Sequence, residues 1–352
     1  MRQNYNCCFY YVLLILSLTF AACQKEKITF SDNASDTFYL DNEKCSMRIL
    51  VEGNTLSKTF LIFIHGGPGV SSYFYNTSTI RRNLGDKYAM VYWDQRNAGA
   101  SQGNRNGDKL CLNQMVEDLR KVILLIRYRY GQDISVFIAG HSFGGLLASA
   151  FVTHLNYQDL LQGWIVVDGT QNYALNDSLT KQMLITIGIE QINLNIHKEE
   201  WQEIVEYCKS HLNELTFGET NKLEGYASDA ENYILGYREG IGIKLLKEYA
   251  IQENYPVTSI AANFLYTWFS DFDKGLINIE FSTVLYKVRI PTLLIWGEYD
   301  FITPKKLGED IFARISSEDK EIFVIPDKGH NFLLYDGIVF CERTDDFIQK
   351  FR

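Results

Sequence analysis

The sequence predicts an α/β fold: a mostly parallel sheet with helices on both faces and a helical cap inserted between two strands. Three observations predict it. Short, continuous apolar runs alternate with helical spacing through residues 60–167, the pattern of buried parallel strands joined by crossover helices. The alternation stops after Thr170 and resumes only at Pro291, leaving a long stretch of helical character between two strands. One apolar run, residues 136–139, enters the turn Gly140-His141-Ser142-Phe143-Gly144 and leaves it as a small-residue helix. That turn is the strand–turn–helix spelling G-x-S-x-G, which lifts a serine above the sheet edge with a helix N-terminus beneath it.

The chain opens outside this pattern. Arg2 precedes the apolar residues 9–20, which are fewer than the ~20 that a bilayer span needs. Ala21-Ala22-Cys23 closes the stretch, and the polar Gln24-Lys25-Glu26-Lys27 follows. This resembles a bacterial lipoprotein signal, with Phe20 where a Leu is usual. The resemblance implies removal of residues 1–22, lipidation of Cys23, and a protein anchored to a membrane of the cell envelope, facing the periplasm or the exterior. Residues 23–35 then read as a linker.

Residues 37–40 and 45–52 read as an antiparallel hairpin, and residues 60–64 (FLIFI) as a fully buried strand ending in His65-Gly66-Gly67-Pro68-Gly69. Residues 89–93 (AMVYW) form the next buried strand, ending in Asp94-Gln95-Arg96-Asn97-Ala98-Gly99-Ala100-Ser101. Met115, Leu119, Val122, Ile123 and Ile126 give residues 112–130 a helical stripe. The elbow strand, its helix to about 155 and a strand at 164–167 complete the first part. Within the insertion, amphipathic segments lie at 180–193, 199–215, 231–249 and 260–269. Strands return at 291–296 and 321–325, and a helix at 340–351 ends the chain. The expected division is a core of residues 36–169 and 290–352 with a cap of residues 170–289, placed over the strand ends as a lid.

Composition sets outer bounds. The chain has 352 residues, 46% hydrophobic and 22% charged, enough for one large α/β domain with a sizeable core. Aromatics at 14% suit a cleft lined by rings. A net charge of −9 without a basic cluster argues against a nucleic-acid surface. Of the seven cysteines, Cys7 and Cys8 would leave with the leader and Cys23 would carry lipid. Cys45, Cys111, Cys208 and Cys341 remain, and an oxidising compartment would allow three pairings among them. No C-x-x-C or Cys/His cluster is spelled, so nothing in the sequence points to zinc.

A serine is too weak a nucleophile at neutral pH without a base and an orienting acid. Six histidines are available. His65 and His141 sit in glycine turns, His154 follows the elbow, and His197 and His211 lie in the insertion. His330 occupies the loop after the last strand, at the carboxyl end where such sheets place their chemistry. It is the expected general base. Two acids follow the required order Ser, Asp, His: Asp168, at the end of strand 164–167, and Asp300, after strand 291–296. Asp300 is favoured, because the turn Phe301-Ile302-Thr303-Pro304 would hold it towards His330. The oxyanion donors are expected to be the backbone N–H groups of Phe143 and Gly67, with Gly66 as the alternative to Gly67. Water completes such a reaction, so it calls for no metal or cofactor.

His65-Gly66-Gly67-Pro68-Gly69, with Asp94-Gln95-Arg96, Gly99 and Ser101, resembles the proline iminopeptidase branch of the α/β-hydrolase superfamily, and the likeness covers residues 36–352. It implies an α/β-hydrolase fold, a Ser142–His330–Asp300 triad, and removal of N-terminal residues, often proline, from short peptides. It also implies cap carboxylates that hold the substrate's free α-ammonium; Glu231 and Glu239 are among many candidates and none is singled out. The sequence departs from the branch at Asn97, where Gly is usual, at Ala100, where Arg is frequent, and in an elbow reading GHSFGG. The Trp-rich cap motif ending in Glu is also missing, with Thr267-Trp268-Phe269 a distant echo. An esterase or lactonase with the same triad, and a non-catalytic binding protein of this fold, are the alternatives.

Overall fold

A hairpin starts the sheet, because residues 34–42 alternate half-buried and exposed side chains and the turn at Glu43-Lys44 takes two left-handed residues. The computed structural model describes residues 29–103, 110–236, 257–268, 270 and 272–352. The leader, Cys7, Cys8, Cys23, Glu239, Phe269 and most of the expected helix 231–249 lie outside the described residues. Strand β1 (Ala34–Asn42) pairs antiparallel with β2 (Cys45–Gly53), from Ala34 against Gly53 to Asn42 against Cys45. Next come β3 (Thr59–Ile64), β4 (Ala89–Trp93) and the short β5 (Gln102–Gly103), followed by helix α1 (Leu112–Tyr130). The elbow joins β6 (Ser135–His141) to α2 (Phe143–Thr153), and β7 (Gly163–Val167) closes the first part.

The helices α3 (Tyr173–Asn193), α4 (Lys198–Ser210), α5 (Phe217–Leu235), α6 (Val257–Trp268) and α7 (Phe272–Leu276) come before the sheet resumes. The chain ends with β8 (Thr292–Gly297), α8 (Lys306–Arg314), β9 (Lys320–Ile325), α9 (Phe332–Tyr335) and α10 (Ile338–Phe351).

Strand order is β1-β2-β4-β3-β6-β7-β8-β9, with β5 beside β2. Pairing is parallel from β4 across to β9, and β2 runs against the others, pairing antiparallel with β1, β4 and β5. Every residue of β3, β4, β7 and β8 is buried, as their unbroken apolar spelling requires. Phe63, Tyr92, Phe137, Ile165 and Ile295 form one core with Phe340 and Phe347 of α10, while α1 and α2 pack together. Parallel order has one consequence for function. The segments after β3, β4, β6, β7, β8 and β9 all emerge at the same sheet edge, bringing His65–Gly69, Asp94–Ser101, Ser142, Asp168, Asp300 and His330 together.

The helical segments begin and end differently from the sequence reading. Helix α3 starts at Tyr173, not 180, because the Asn172 side chain accepts the Leu175 N–H at 3.0 Å. Helix α4 stops at Ser210, short of 215. A helix runs over Phe217–Leu235 where the reading expected one to begin only at 231. Its signals are a capping box of Thr216 with Glu219 and a left-handed Gly236 after its last turn. Leu184, Trp201, Ile204, Cys208, Leu223 and Ala227 of α3, α4 and α5 share a small core with Phe301. Cys45, Cys111, Cys208 and Cys341 are all free thiols, so none of the three pairings forms. No helix among the described residues is long and apolar enough to cross a membrane.

Candidate active site

The elbow holds Ser142 with φ 56° and ψ −124°, a region a non-glycine residue occupies only when its surroundings impose it. The surroundings are backbone. A Cβ on Gly144 would lie 2.0 Å from the Ile64 carbonyl oxygen, and one on Gly140 would lie 2.4 Å from that of Gly144. Only glycine permits this approach of β3, β6 and α2.

Ser142 Oγ lies 3.0 Å from His330 Nε2, and His330 Nδ1 lies 2.9 Å from Asp300 Oδ2. A carboxylate only accepts, so Nδ1 carries the proton and Nε2 is left to accept the serine hydroxyl. Asp300 is fully buried, and its Oδ1 accepts the N–H groups of Ile302 and Thr303 at 2.9 and 2.7 Å. The Thr303 hydroxyl lies 2.7 Å from Asp300 Oδ2 and 2.8 Å from the Asp168 carbonyl oxygen. Burial by itself would depress the His330 imidazole. The charge of Asp300, its hydrogen bond and the charge of Glu231 together hold it above its ordinary 6.5.

Asp168 takes a different place. Its Oδ1 accepts the Gly297 N–H at 2.8 Å, and among the described residues its buried Oδ2 has no partner. Burial first, and the neighbouring Asp300 second, push its carboxyl well above the usual range. Of the two acids the reading weighed, Asp300 is the one hydrogen-bonded to His330 Nδ1.

At the oxyanion turn, Gly66 donates its N–H to the Tyr75 hydroxyl at 3.2 Å. Gly67 has φ 108°, and its N–H and that of Phe143 have no acceptor among the described residues. The Tyr75 hydroxyl lies 2.8 Å from His141 Nδ1, and His141 Nε2 lies 2.8 Å from the His330 carbonyl oxygen. A carbonyl only accepts, so His141 donates from Nε2 and accepts from Tyr75 at Nδ1. Burial first, then the charge of His330, push this imidazole down to about 3. His141 thus braces the base loop, a role that a lone histidine in a glycine turn does not announce.

The ring nitrogens of His141 and His330 and a carboxylate oxygen of Asp168 lie within 4.8 Å of one another. Hydrogen bonds to Tyr75, the His330 carbonyl, Ser142 and Asp300 already engage all four ring nitrogens.

The Asp94-Gln95-Arg96 stretch supports this edge from below. Asp94 accepts Ser71 Oγ, the Ser72 N–H and the Ala100 N–H within 2.9 Å, and a Cβ on Gly99 would lie 2.2 Å from its carboxyl carbon. The Gln95 amide donates to the His65 carbonyl at 2.9 Å. Arg96 forms a buried two-pronged pair with Asp118, at 2.6 and 2.9 Å. Asn97 is left-handed (φ 54°), which Asn tolerates, and its carbonyl accepts the Thr267 hydroxyl of α6 at 3.2 Å.

A cavity of about 130 Å³ opens beside Gly67, lined by Tyr173, Phe217, Asn221, Glu224 and Phe264 among others. Two larger ones, about 590 Å³ each, border α3, and neither Ser142 nor His330 lines any of the three. Of the cap carboxylates, Glu224 lines the cavity beside Gly67. Glu231 is buried, and its Oε1 accepts the His330 N–H at 3.0 Å.

The family model described as alpha/beta hydrolase fold matches residues 59–336. The chain belongs to this family. It is 21% identical over 295 residues to the "Probable aminopeptidase YbaC" of Bacillus subtilis, covering 80% of this chain and 86% of that protein. It is 25% identical over 216 residues to the pimeloyl-[acyl-carrier protein] methyl ester esterase of Wigglesworthia glossinidia brevipalpis, covering 61% and 70%. The crystal structure of the proline iminopeptidase from Mycobacterium smegmatis superposes with a TM-score of 0.58 at 16% identity, covering 90% of this chain and 98% of that one. This α/β hydrolase therefore has aminopeptidase and esterase relatives at low identity.

Proposed function

We propose that this α/β hydrolase is a serine hydrolase working through an acyl-enzyme, an aminopeptidase of the proline iminopeptidase kind acting on short peptides. The observation that carries the reading is the unbroken relay from Ser142 Oγ through His330 to Asp300, at 3.0 and 2.9 Å. Ser142 Oγ attacks the scissile carbonyl carbon while His330 Nε2 takes its proton, and Asp300 holds the imidazolium that forms. The developing oxyanion is met by the N–H groups of Phe143 and Gly67, the first reinforced by the N-terminus of α2. Collapse passes the proton from His330 to the leaving amine. Water, deprotonated by the same imidazole, then releases the acyl group from Ser142.

The peptidase preference rests on the cap. Glu224 lines the cavity beside Gly67 and its charge reaches His330, which supports a role in holding a substrate α-ammonium. The aromatic wall of Phe217, Phe264 and Tyr173 favours a second reading, an esterase that places a small apolar acyl group there.

Initial rates of the leader-free protein on prolyl-, alanyl- and N-blocked prolyl-arylamides, beside short-chain aryl esters, separate the two. Cleavage of free-amine amides alone, with a KM raised by Glu224→Gln, supports the aminopeptidase. Ester turnover without amide cleavage discards it and keeps the triad. Ser142→Ala supplies the blank. Labelling of that variant by a fluorophosphonate would remove Ser142 from the mechanism, and no turnover at all would favour a binding protein.

The leader supports a lipid anchor at Cys23 and a position on the bacterial cell envelope. Incorporation of a labelled fatty acid that is lost on Cys23→Ala is the expected result.

A further inference from the structure

Helix α5 carries one carboxyl that faces inward. Glu231 is 5% exposed, and its Oε1 accepts two backbone N–H groups, that of His330 at 3.0 Å and that of Phe301 at 3.3 Å. Those residues belong to different loops. Phe301 follows Asp300 on the loop after β8, and His330 lies on the loop after β9. A single oxygen from the cap therefore ties together the two loops whose side chains meet at His330 Nδ1 and Asp300 Oδ2.

The seat is close-fitting. A Cβ on Gly329 would lie 2.6 Å from Glu231 Oε2 and 2.9 Å from a Leu235 methyl, so the loop beside His330 is glycine where α5 presses on it. Phe301 is fully buried in the small core of α3, α4 and α5, so the cap and the acid loop share one packed unit.

We propose that Glu231 is a positioning residue that locks the loops bearing His330 and Asp300 to α5 and sets a second carboxyl beside the imidazole. The proposal rests on the reading of Ser142, His330 and Asp300 as the catalytic relay. Two physical effects are separable. As an acceptor, neutral or ionised, Oε1 satisfies two buried donors that would otherwise be orphaned and holds the imidazole in line with Ser142. As a charge, the carboxylate is a second negative group beside the imidazole, after Asp300, and favours the imidazolium.

The surrounding groups set when that charge appears. Burial first, and Asp300 second, push the Glu231 carboxyl up to about 8, while His330 pulls it down. Asp168, after β7, also feels Glu231, and Glu224, seven residues earlier on the same helix, adds its charge to His330. Glu231 and His330 thus act on each other, the imidazolium favouring the carboxylate and the carboxylate favouring the imidazolium.

The test compares Glu231→Gln with Glu231→Leu in the leader-free protein. Gln keeps the acceptor and removes the charge, whereas Leu removes both. The expected result for Gln is a kcat within a few-fold of the wild type and an acid limb of kcat/KM moved to lower pH, since a neighbour that raises the imidazole is gone. For Leu, kcat falls by about 100-fold with KM little changed, the scale of a misplaced catalytic group. Titration of the His330 ring by NMR on 15N-histidine protein reads the same shift without any turnover. Failure of the proposed activity would leave that titration interpretable.

An unmoved His330 titration in Glu231→Gln would overturn the tuning. Equal kcat in the Leu variant and the wild type would overturn the lock. If the Leu variant does not fold, the Gln titration decides the tuning, and kcat of Glu231→Ala, which also lacks the acceptor, decides the lock.

Discussion

His141 Nε2 lies 2.8 Å from the carbonyl oxygen of His330, so the residue before Ser142 holds the backbone of the histidine whose ring faces Ser142. Its other nitrogen meets the Tyr75 hydroxyl, which in turn accepts the N–H of Gly66. One chain of hydrogen bonds therefore runs from the oxyanion turn to the base loop. The variable position of G-x-S-x-G carries it here, and small side chains there cannot.

His141→Ala should leave the buried His330 carbonyl without its donor and the Tyr75 hydroxyl without an acceptor for its proton, at a cost of about 1–3 kcal/mol in urea unfolding. It should also lower kcat more than it changes KM. Acid stability should improve relative to the wild type. The folded imidazole sits near 3, below its ordinary 6.5, so the unfolded chain binds the extra proton between those values and stability is lost as pH falls through that window. His65, also lowered by burial, contributes in the same direction. A wild-type stability that stayed flat from pH 6.5 to 4 would contradict this.

The two strand-end aspartates should behave oppositely. Asp300→Asn removes the acceptor that fixes the His330 tautomer, and kcat is expected to fall by ~10⁴-fold. Asp168→Asn preserves an oxygen for the Gly297 N–H and a neutral group where burial already favours the neutral acid, so kcat should stay within a few-fold. Steady-state rates on the best substrate of the panel check both, and the reverse pattern would move the acid role to Asp168.

His330 acts as base only when neutral, so kcat/KM should rise with pH. Because the imidazole is held above its ordinary 6.5, the rise should centre above that value. Asp300→Asn should move any residual rise downward, since it removes the charge and hydrogen bond that hold the imidazole up. A pH–rate profile from 5 to 9, a range set about the ordinary histidine value, distinguishes these outcomes.

Arg96 is expected to matter for stability and not for chemistry. Arg96→Met leaves Asp118 buried without its cation and should cost about 3–5 kcal/mol, read by denaturant unfolding. Variant that remains folded should retain KM, since neither group touches Ser142, His330 or Gly67.

The helices between β7 and β8 show where local signals were present but outweighed. Thr216-x-x-Glu219 and Gly236 mark the ends of α5, yet the apolar spacing read from 231 onward placed the helix too late. Burial in the shared core with Phe301 keeps Ala227, Ala230 and Glu231 inside a helix that already began at Phe217. The free thiols are a second case: sequence counts cysteines, but only the fold determines which of them meet.

The sequence by itself determined the central strands and the elbow, because each depends on a few neighbouring residues. Unbroken apolar runs have no stable place but the middle of a sheet, and a serine between close-packed glycines forces the sharp turn. Tertiary structure alone decided which acid meets His330 Nδ1 and which side chains hold the loops around it. Those contacts join residues 30 apart for Asp300, 99 for Glu231 and 189 for His141. No local pattern encodes them, since a carboxyl or imidazole has the same spelling whether solvated or buried. Strand order and the docking of α5 bring these groups out of water and against one another, and there their hydrogen bonds and charges begin to act on the serine.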